Sequence, residues 1–171
     1  GFCFFYGMGQ RFPPRKGLPE VMSAGVKVYV VTFLFRGRQV LLIHRSKDKS
    51  FAPGLWTGVG GLVEWREMVN LQKSVFREVW EEAKIAKGEI RNLKLRTVLS
   101  KLEGKDIVLV VFFSGETDQE GISDCREGSL KWVEIDRVGE LEMIRNARYV
   151  LTDTIRALEV DENEVSFKVC P

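Results

Sequence analysis

Residues Gly58 to Ala86 read GVGGLVEWREMVNLQKSVFREVWEEAKIA, a glycine-rich opening followed by a run of helical periodicity. On a helix each residue advances the side chain by about 100°. With Val75 set at zero, Val79, Ala83, Phe76 and Trp80 fan over about 140° and predict an apolar face turned to a core. Glu82 and Glu78 fall at about −20° and −60°, beside that stripe with Leu71 between them. They form an i,i+4 pair of like charge, which costs stability unless a cation holds it. Hard oxygen donors crowded in this way suit Mg²⁺ or Mn²⁺. The plainer alternative is a solvated helix, since glutamate is a good helix former. Arg77 and Glu81 form an i,i+4 pair of opposite sign, worth under about 1 kcal/mol at a surface.

The spacing of these residues is more specific than their periodicity. Gly61, Glu67 and the run Arg77-Glu78-Val79-Trp80-Glu81-Glu82-Ala83-Lys84-Ile85 resemble the Nudix box, G-x5-E-x7-R-E-U-x-E-E-x-G-U with U apolar. Two departures stand out. Nine residues separate Glu67 from Arg77 where the box has seven, so the loop before the helix is longer and the role of Glu67 stays open. Lys84 replaces the last glycine; if that position is a left-handed helix end, a lysine there costs about 1 kcal/mol. Neither departure removes a carboxylate.

The resemblance implies an α+β chain with the Nudix fold, an α/β/α sandwich around a mixed β-sheet. It implies hydrolysis of a nucleoside diphosphate linked to another group, by water attack on phosphorus with Mg²⁺ or Mn²⁺. The carry-over makes Glu78 and Glu82 the leading metal ligands and Glu81 a third, or else makes one of them, Glu78 foremost, the general base instead of a ligand. Arg77 would orient these carboxylates, and the Gly60 carbonyl would join the metal shell. A further acid in the Glu116–Glu127 loop often assists in the family. Glu127 and Glu120 are the acids considered there, and a solvated acidic loop is the plain reading.

The resemblance covers roughly Val26 to Leu158. Pro53 to Gly61 (PGLWTGVGG) resembles the lead-in to the box, and Arg126 to Met143 (REGSLKWVEIDRVGELEM) is similar to a segment of MutT-type nucleoside triphosphate hydrolases. That likeness suggests oxidised purine nucleotides as substrates. Yet Thr57 stands where mammalian-type members have asparagine, and Asn146-Ala147 where they have paired aspartates. Asn146 still offers a donor and an acceptor to a base edge. ADP-ribose, dinucleoside polyphosphates and ordinary nucleotides remain open, as does a Nudix-fold module that binds a nucleotide without turnover.

Other residues have two readings each. Arg45 ends its strand facing the glycine loop, a position suited to a bidentate phosphate contact. Lys47 and Lys49 follow it and are as readily solvated. Gly61, Thr57 and Glu67 complete the substrate-side candidates. Trp56, Phe33, Phe35 and Trp132 are candidate base stackers or core residues. His44, the only histidine, alternates in a strand and reads as packing.

The length of 171 residues suits one domain able to bury a core. A net charge of +2 makes no case for nucleic acid or an anionic membrane. Cys3, Cys125 and Cys170 show no C-x-x-C spacing and are odd in number, so neither a zinc site nor a disulfide framework follows. A reducing, cytoplasmic setting is the default, and no apolar run reaches the roughly 18 residues of a membrane span. The expected partner is a small-molecule nucleotide, bound by a monomer or homodimer. Residues 1–25 read as an N-terminal extension, loosely packed or partly vector-derived, 26–160 as the Nudix domain and 161–171 as a tail.

Strands are predicted over Val26–Phe35, Gln39–Arg45, Asn92–Leu102, Asp106–Ser114 and Ser129–Ile135. A short helix capped by Asp136 is predicted to Glu142, and a final helix over Ala147–Glu159. Val165–Val169 reads as a terminal strand or a loose tail.

Overall fold

A computed structural model of the protein describes residues 25–120 and 125–159, and the backbone of 166–169. Residues 1–24 and what was expected of them lie outside the described residues. Eight strands form one sheet: β1 (Val26–Arg36), β2 (Gln39–Arg45), β3 (Trp56–Thr57), β4 (Val59–Leu62), β5 (Arg91–Glu103), β6 (Asp106–Glu116), β7 (Gly128–Glu134) and β8 (Ser166–Val169). Two helices, α1 (Leu71–Ala83) and α2 (Arg145–Glu159), complete the regular structure. Most strands end within a residue or two of the predicted bounds, because β-branched and aromatic runs end at turn residues.

The strand order is β3-β2-β1-β6-β5-β8, with β4 also paired to β1 and β7 to β2. β1 runs parallel to β6, and β5 parallel to β8; the other pairs are antiparallel, so the sheet is mixed. β6 occupies one whole edge of β1. The other edge is shared: β4 takes Tyr29–Thr32 and β2 takes Leu34–Arg36. That division brings the glycines of β4 into the sheet, with Gly60 opposite Val31 and Gly61 opposite Val30.

Both faces of the sheet are covered. Val30, Leu34, Leu41 and Ile43 pack with Val75, Val79 and Ala83 of α1. Phe33, Phe35, Val40, Leu42 and Phe112 pack with Ala147, Val150 and Leu151 of α2. This is the expected α/β/α sandwich with a mixed sheet.

Three expectations need correction or choice. The apolar face of α1 is rotated: its buried residues are Ser74, Val75, Glu78, Val79, Glu82 and Ala83. That arc runs from about −100° to +80°, so both glutamates lie inside it and Trp80, at about 140°, lies outside. Trp80 is 52% exposed, with the Lys84 ammonium 5.9 Å from its ring centroid. The segment after β7 is a 3₁₀ helix over Ile135–Glu140, and Asp136 does not cap it: its carboxylate accepts from Arg38 Nη2 at 2.7 Å. The terminal segment is a strand, since β8 extends the sheet beyond β5.

Lys84 closes α1 in the left-handed conformation, φ 57° and ψ 23°, and its N–H donates to the Trp80 carbonyl at 3.1 Å. Its side chain donates to the Glu81 carbonyl at 3.1 Å, which recovers part of the strain of a Cβ in this region. We expect Lys84→Gly to raise stability by up to about 1 kcal/mol in urea unfolding.

Candidate active site

The site is built where α1 lies across β4. Gly61 has no side chain because the Glu78 carboxylate fills that space: a Cβ there would sit 2.5 Å from Glu78 Oε1 and 2.7 Å from its carboxyl carbon. At Gly60 a Cβ would overlap the Val30 carbonyl, and the Gly60 N–H donates to Glu82 Oε2 at 3.0 Å. Gly61 therefore lets the Glu78 carboxylate lie directly against the strand, while Gly60 lets β4 approach β1 and offers its N–H to Glu82.

Arg77 braces this arrangement from behind. Its Nε and Nη2 donate to the two oxygens of Glu67 at 3.0 and 2.9 Å, a fork-to-fork pair. Nη1 donates to Glu78 Oε1 at 2.6 Å, and Nη2 also reaches the Leu62 carbonyl at 3.0 Å and Ser74 Oγ at 3.2 Å. The expected contact with Glu81 is the longest of the set, at 3.4 Å. The two extra box residues do not displace Glu67. They are taken up in a turn that ends at Asn70, whose Oδ1 accepts from the Gln72 N–H at 3.2 Å and caps α1.

Charge follows from this geometry. The Arg77 guanidinium beside Glu67 holds that carboxyl down to about 2. Burial pushes Glu82 up to about 8, opposed by the Gly60 N–H and reinforced by Glu78 and Glu127. Burial also raises Glu78, against the pull of Arg77. The helix thus presents two nearly buried carboxyl groups whose charged forms burial disfavours, with Arg77 opposing that effect at Glu78.

Both open onto a cleft of about 660 Å³. Gly60, Gly61, Arg45 and Glu127 share this end with Glu78 and Glu82, and Thr57 and Asn146 also line the cleft. The apolar lining includes Val31, Leu99, Val110 and Phe112. Glu67 and Arg77 are committed to each other behind the wall. Glu81 is exposed and does not line the cleft, and neither does exposed Glu120. Lys47 is exposed, whereas Lys49 is half-buried against Glu127.

The aromatic candidates lie elsewhere. Phe33 stacks on Phe112 at 6.1 Å, Trp56 on His44 at 4.7 Å, and the Arg36 guanidinium covers Trp132 at 4.7 Å. His44 Nε2 also bonds the Gly54 carbonyl at 3.0 Å, a packing role. The rings lining the cleft are instead Tyr29, Phe51 and Phe112. Tyr29 shares the strand parity of Val31 and was legible; Phe51 sits in a polar loop that gives no local signal. A smaller cleft of about 350 Å³, lined by Arg38, Arg91 and Arg96 among others, contains none of the box residues.

Among the described residues, no three carboxylate, imidazole or thiol groups converge to hold an ion by themselves. The donor set nevertheless fits Mg²⁺ or Mn²⁺. Such ions take one or two carboxylates and complete their shell with water and substrate oxygens, and Glu78 and Glu82 are nearly buried oxygen donors that open onto the cleft.

The model of the NUDIX domain family matches residues 25–154, most of the chain. The chain belongs to the Nudix family. Its fold is similar to that of other Nudix proteins of known structure. A MutT protein from Bacillus halodurans has a TM-score of 0.65 at 21% identity, over 85% of this chain and 91% of that one. A Nudix hydrolase from Nitrosomonas europaea has a TM-score of 0.69 at 18% identity, covering 87% and 81% respectively. The Nudix domain of Shewanella oneidensis NrtR, solved with ADP-ribose, has a TM-score of 0.60 at 15% identity, over 86% and 94%. No curated protein matches the chain by sequence. Among the described residues no helix of this Nudix protein is long and apolar enough to cross a membrane.

Two outcomes test this electrostatic account. Glu67→Ala strips Arg77 of its main partner within a part-buried network, and urea unfolding should show a loss of about 3 kcal/mol. Glu82 binds a proton more tightly folded, at about 8, than its ordinary value of 4.5. The stability this proton confers is complete below about pH 4.5 and is lost as pH rises through about 8. In EDTA the melting temperature should fall across that window, and both Glu82→Gln and added Mg²⁺ should flatten the fall.

Proposed function

We propose that this Nudix protein is a Mg²⁺- or Mn²⁺-dependent hydrolase that cleaves the diphosphate linkage of a nucleoside di- or triphosphate derivative. The observation behind the reading is the pair Glu78 and Glu82, nearly buried side by side on the wall of a cleft of nucleotide size. A site meant only to bind a polyanion gains nothing from two carboxylates that repel it. The same pair is useful when cations stand between it and the phosphates.

Glu78, Glu82 and the Gly60 carbonyl would hold a divalent ion, which would supply neutralising charge and a lower pKa for the attacking water. The chain's own groups do the rest. Arg77 locks Glu78 through its 2.6 Å bond, so this carboxylate meets the cleft in one orientation. Water attacks phosphorus, the bridging P–O bond breaks, and the bond electrons leave with the departing phosphate. The water's proton passes to a carboxylate of the pair, with Glu78 as the first choice. Arg45 contacts a phosphate at the same end, while Thr57 and Asn146 face the nucleoside.

Glu81 serves this scheme less directly, given its exposure; its role is to flank Arg77. For substrate, the likeness of Arg126–Met143 to MutT-type enzymes favours nucleoside triphosphates, oxidised purines included. The NrtR domain extends the range to ADP-ribose. A panel of canonical and oxidised dNTPs, ADP-ribose and diadenosine polyphosphates, each with Mg²⁺, Mn²⁺ or EDTA, tests the proposal. We expect phosphate or pyrophosphate release that EDTA abolishes and that Glu82→Gln lowers by about 10³-fold or more. Undiminished turnover in folded Glu82→Gln would sink the assignment.

A further inference from the structure

Lys84 holds a left-handed backbone conformation, φ 57°, where the Nudix box has glycine, and the box leaves the position of Trp80 open. These two residues meet on the outward face of α1. The Lys84 ammonium lies 5.9 Å from the Trp80 ring centroid, and the Lys87 ammonium lies 5.1 Å from that of Phe76, one turn nearer the helix start. With Val75 at zero, Phe76, Trp80 and Lys73 fall at about 100°, 140° and 160°, just past the edge of the buried arc. Trp80 is 52% exposed, and Lys73, Lys84 and Lys87 are exposed. Among the described residues no carboxylate pairs with any of the three lysines. Glu81, at about −120°, turns to Arg77 instead. None of the five residues of this face lines the cleft.

Strain held at a non-glycine residue clusters at sites with a role beyond the fold. Here the strained residue adds a third cation to a face that carries two rings and no acid, and such a face suits an anion that is also apolar. Lys73 and Lys84 stand eleven residues apart, about 16 Å along the helix axis, so the occupant spans three helical turns. The face is the convex side of a helix, not a groove that tracks a nucleic-acid strand. Its cations are lysines, without the planar fork of arginine that grips phosphate through two bonds. Ammoniums already share its ring faces, which makes them poor platforms for stacked bases. We propose that this face docks an acidic amphipathic helix of a partner protein. Carboxylates of that helix pair with Lys73, Lys84 and Lys87, and its apolar side chains close over Trp80 and Phe76. Charge steers the encounter, and the covered tryptophan holds it.

The test is calorimetric titration of the full chain with a synthetic peptide of about 18 residues, long enough to hold a helix, with leucine on one face and glutamate on its flanks. We expect binding that weakens as salt rises. Trp80→Ala should lower the affinity about tenfold, and Lys84→Gly about threefold. Lys84→Gly is expected to stabilise the chain, so its loss of affinity cannot come from unfolding. No detectable binding to the wild type overturns the proposal, as does equal affinity in the wild type and both variants. So does equal or tighter binding of the same peptide with lysine in place of glutamate, which would mark contact by hydrophobicity alone. Tighter binding of a single-stranded oligothymidylate or of phosphatidylserine vesicles, weakened by the same two substitutions, also overturns it, because the face would then serve a nucleic acid or a membrane. No turnover is read, so the result stands apart from the hydrolase reading.

Discussion

The Arg77 guanidinium is the interaction on which the site depends. It ties the loop residue Glu67, the strand carbonyl of Leu62 and the helix carboxylate Glu78 to one planar group. A lysine could not do this, because only the rigid fork of arginine pairs both oxygens of Glu67 and still offers nitrogens to other acceptors. With that anchor, α1 has one rotation against β4. Its buried arc includes Glu78 and Glu82 at the expense of Trp80, the reverse of what hydrophobicity alone would select.

That rotation is possible because β4 is nearly bare. Gly61 leaves the volume that the Glu78 carboxylate occupies, and Gly60 lets β4 close on the Val30 carbonyl while its N–H reaches Glu82. The sheet then decides what the carboxylates face. β1 gives one edge to β6 and divides the other between β4 and β2, which sets the acidic helix beside the apolar strip of Val31, Val110 and Phe112. A cleft with charge at one end and hydrocarbon along its lining is suited to a ligand that is itself divided into phosphate and nucleoside.

The balance of charge at the polar end sets the terms for any ligand. Glu78, Glu82 and Glu127 all line the cleft there, with Arg45 as the lining cation and Lys49 behind Glu127. Carboxylates outnumber the cations available to an incoming phosphate, and burial enlarges each imbalance. A divalent ion would relieve it.

Strand and helix positions were legible in the chain because period-2 and period-3.6 patterns are local properties of a backbone. The box residues were legible because their spacing is unusual, and it brought Glu78, Glu82 and Gly61 together without any knowledge of the fold. Other features depended on contacts remote in sequence. The partner of Arg77 had to be found across a loop of non-standard length, where spacing gives no distance. None of the aromatic candidates Trp56, Phe33, Phe35 and Trp132 lines the cleft; of the rings that do, Tyr29 follows strand parity, whereas Phe51 sits in a loop with no periodic signal. Glu127 and Glu120 were equal on sequence; the pairing of β7 with β2 is what carries Glu127 to Arg45 and Lys49. By itself, then, the sequence determined the elements, the acidic helix and the family. Tertiary structure alone decided which carboxylates face the cleft and which cations oppose them, because those depend on helix rotation and strand order, which no local periodicity encodes.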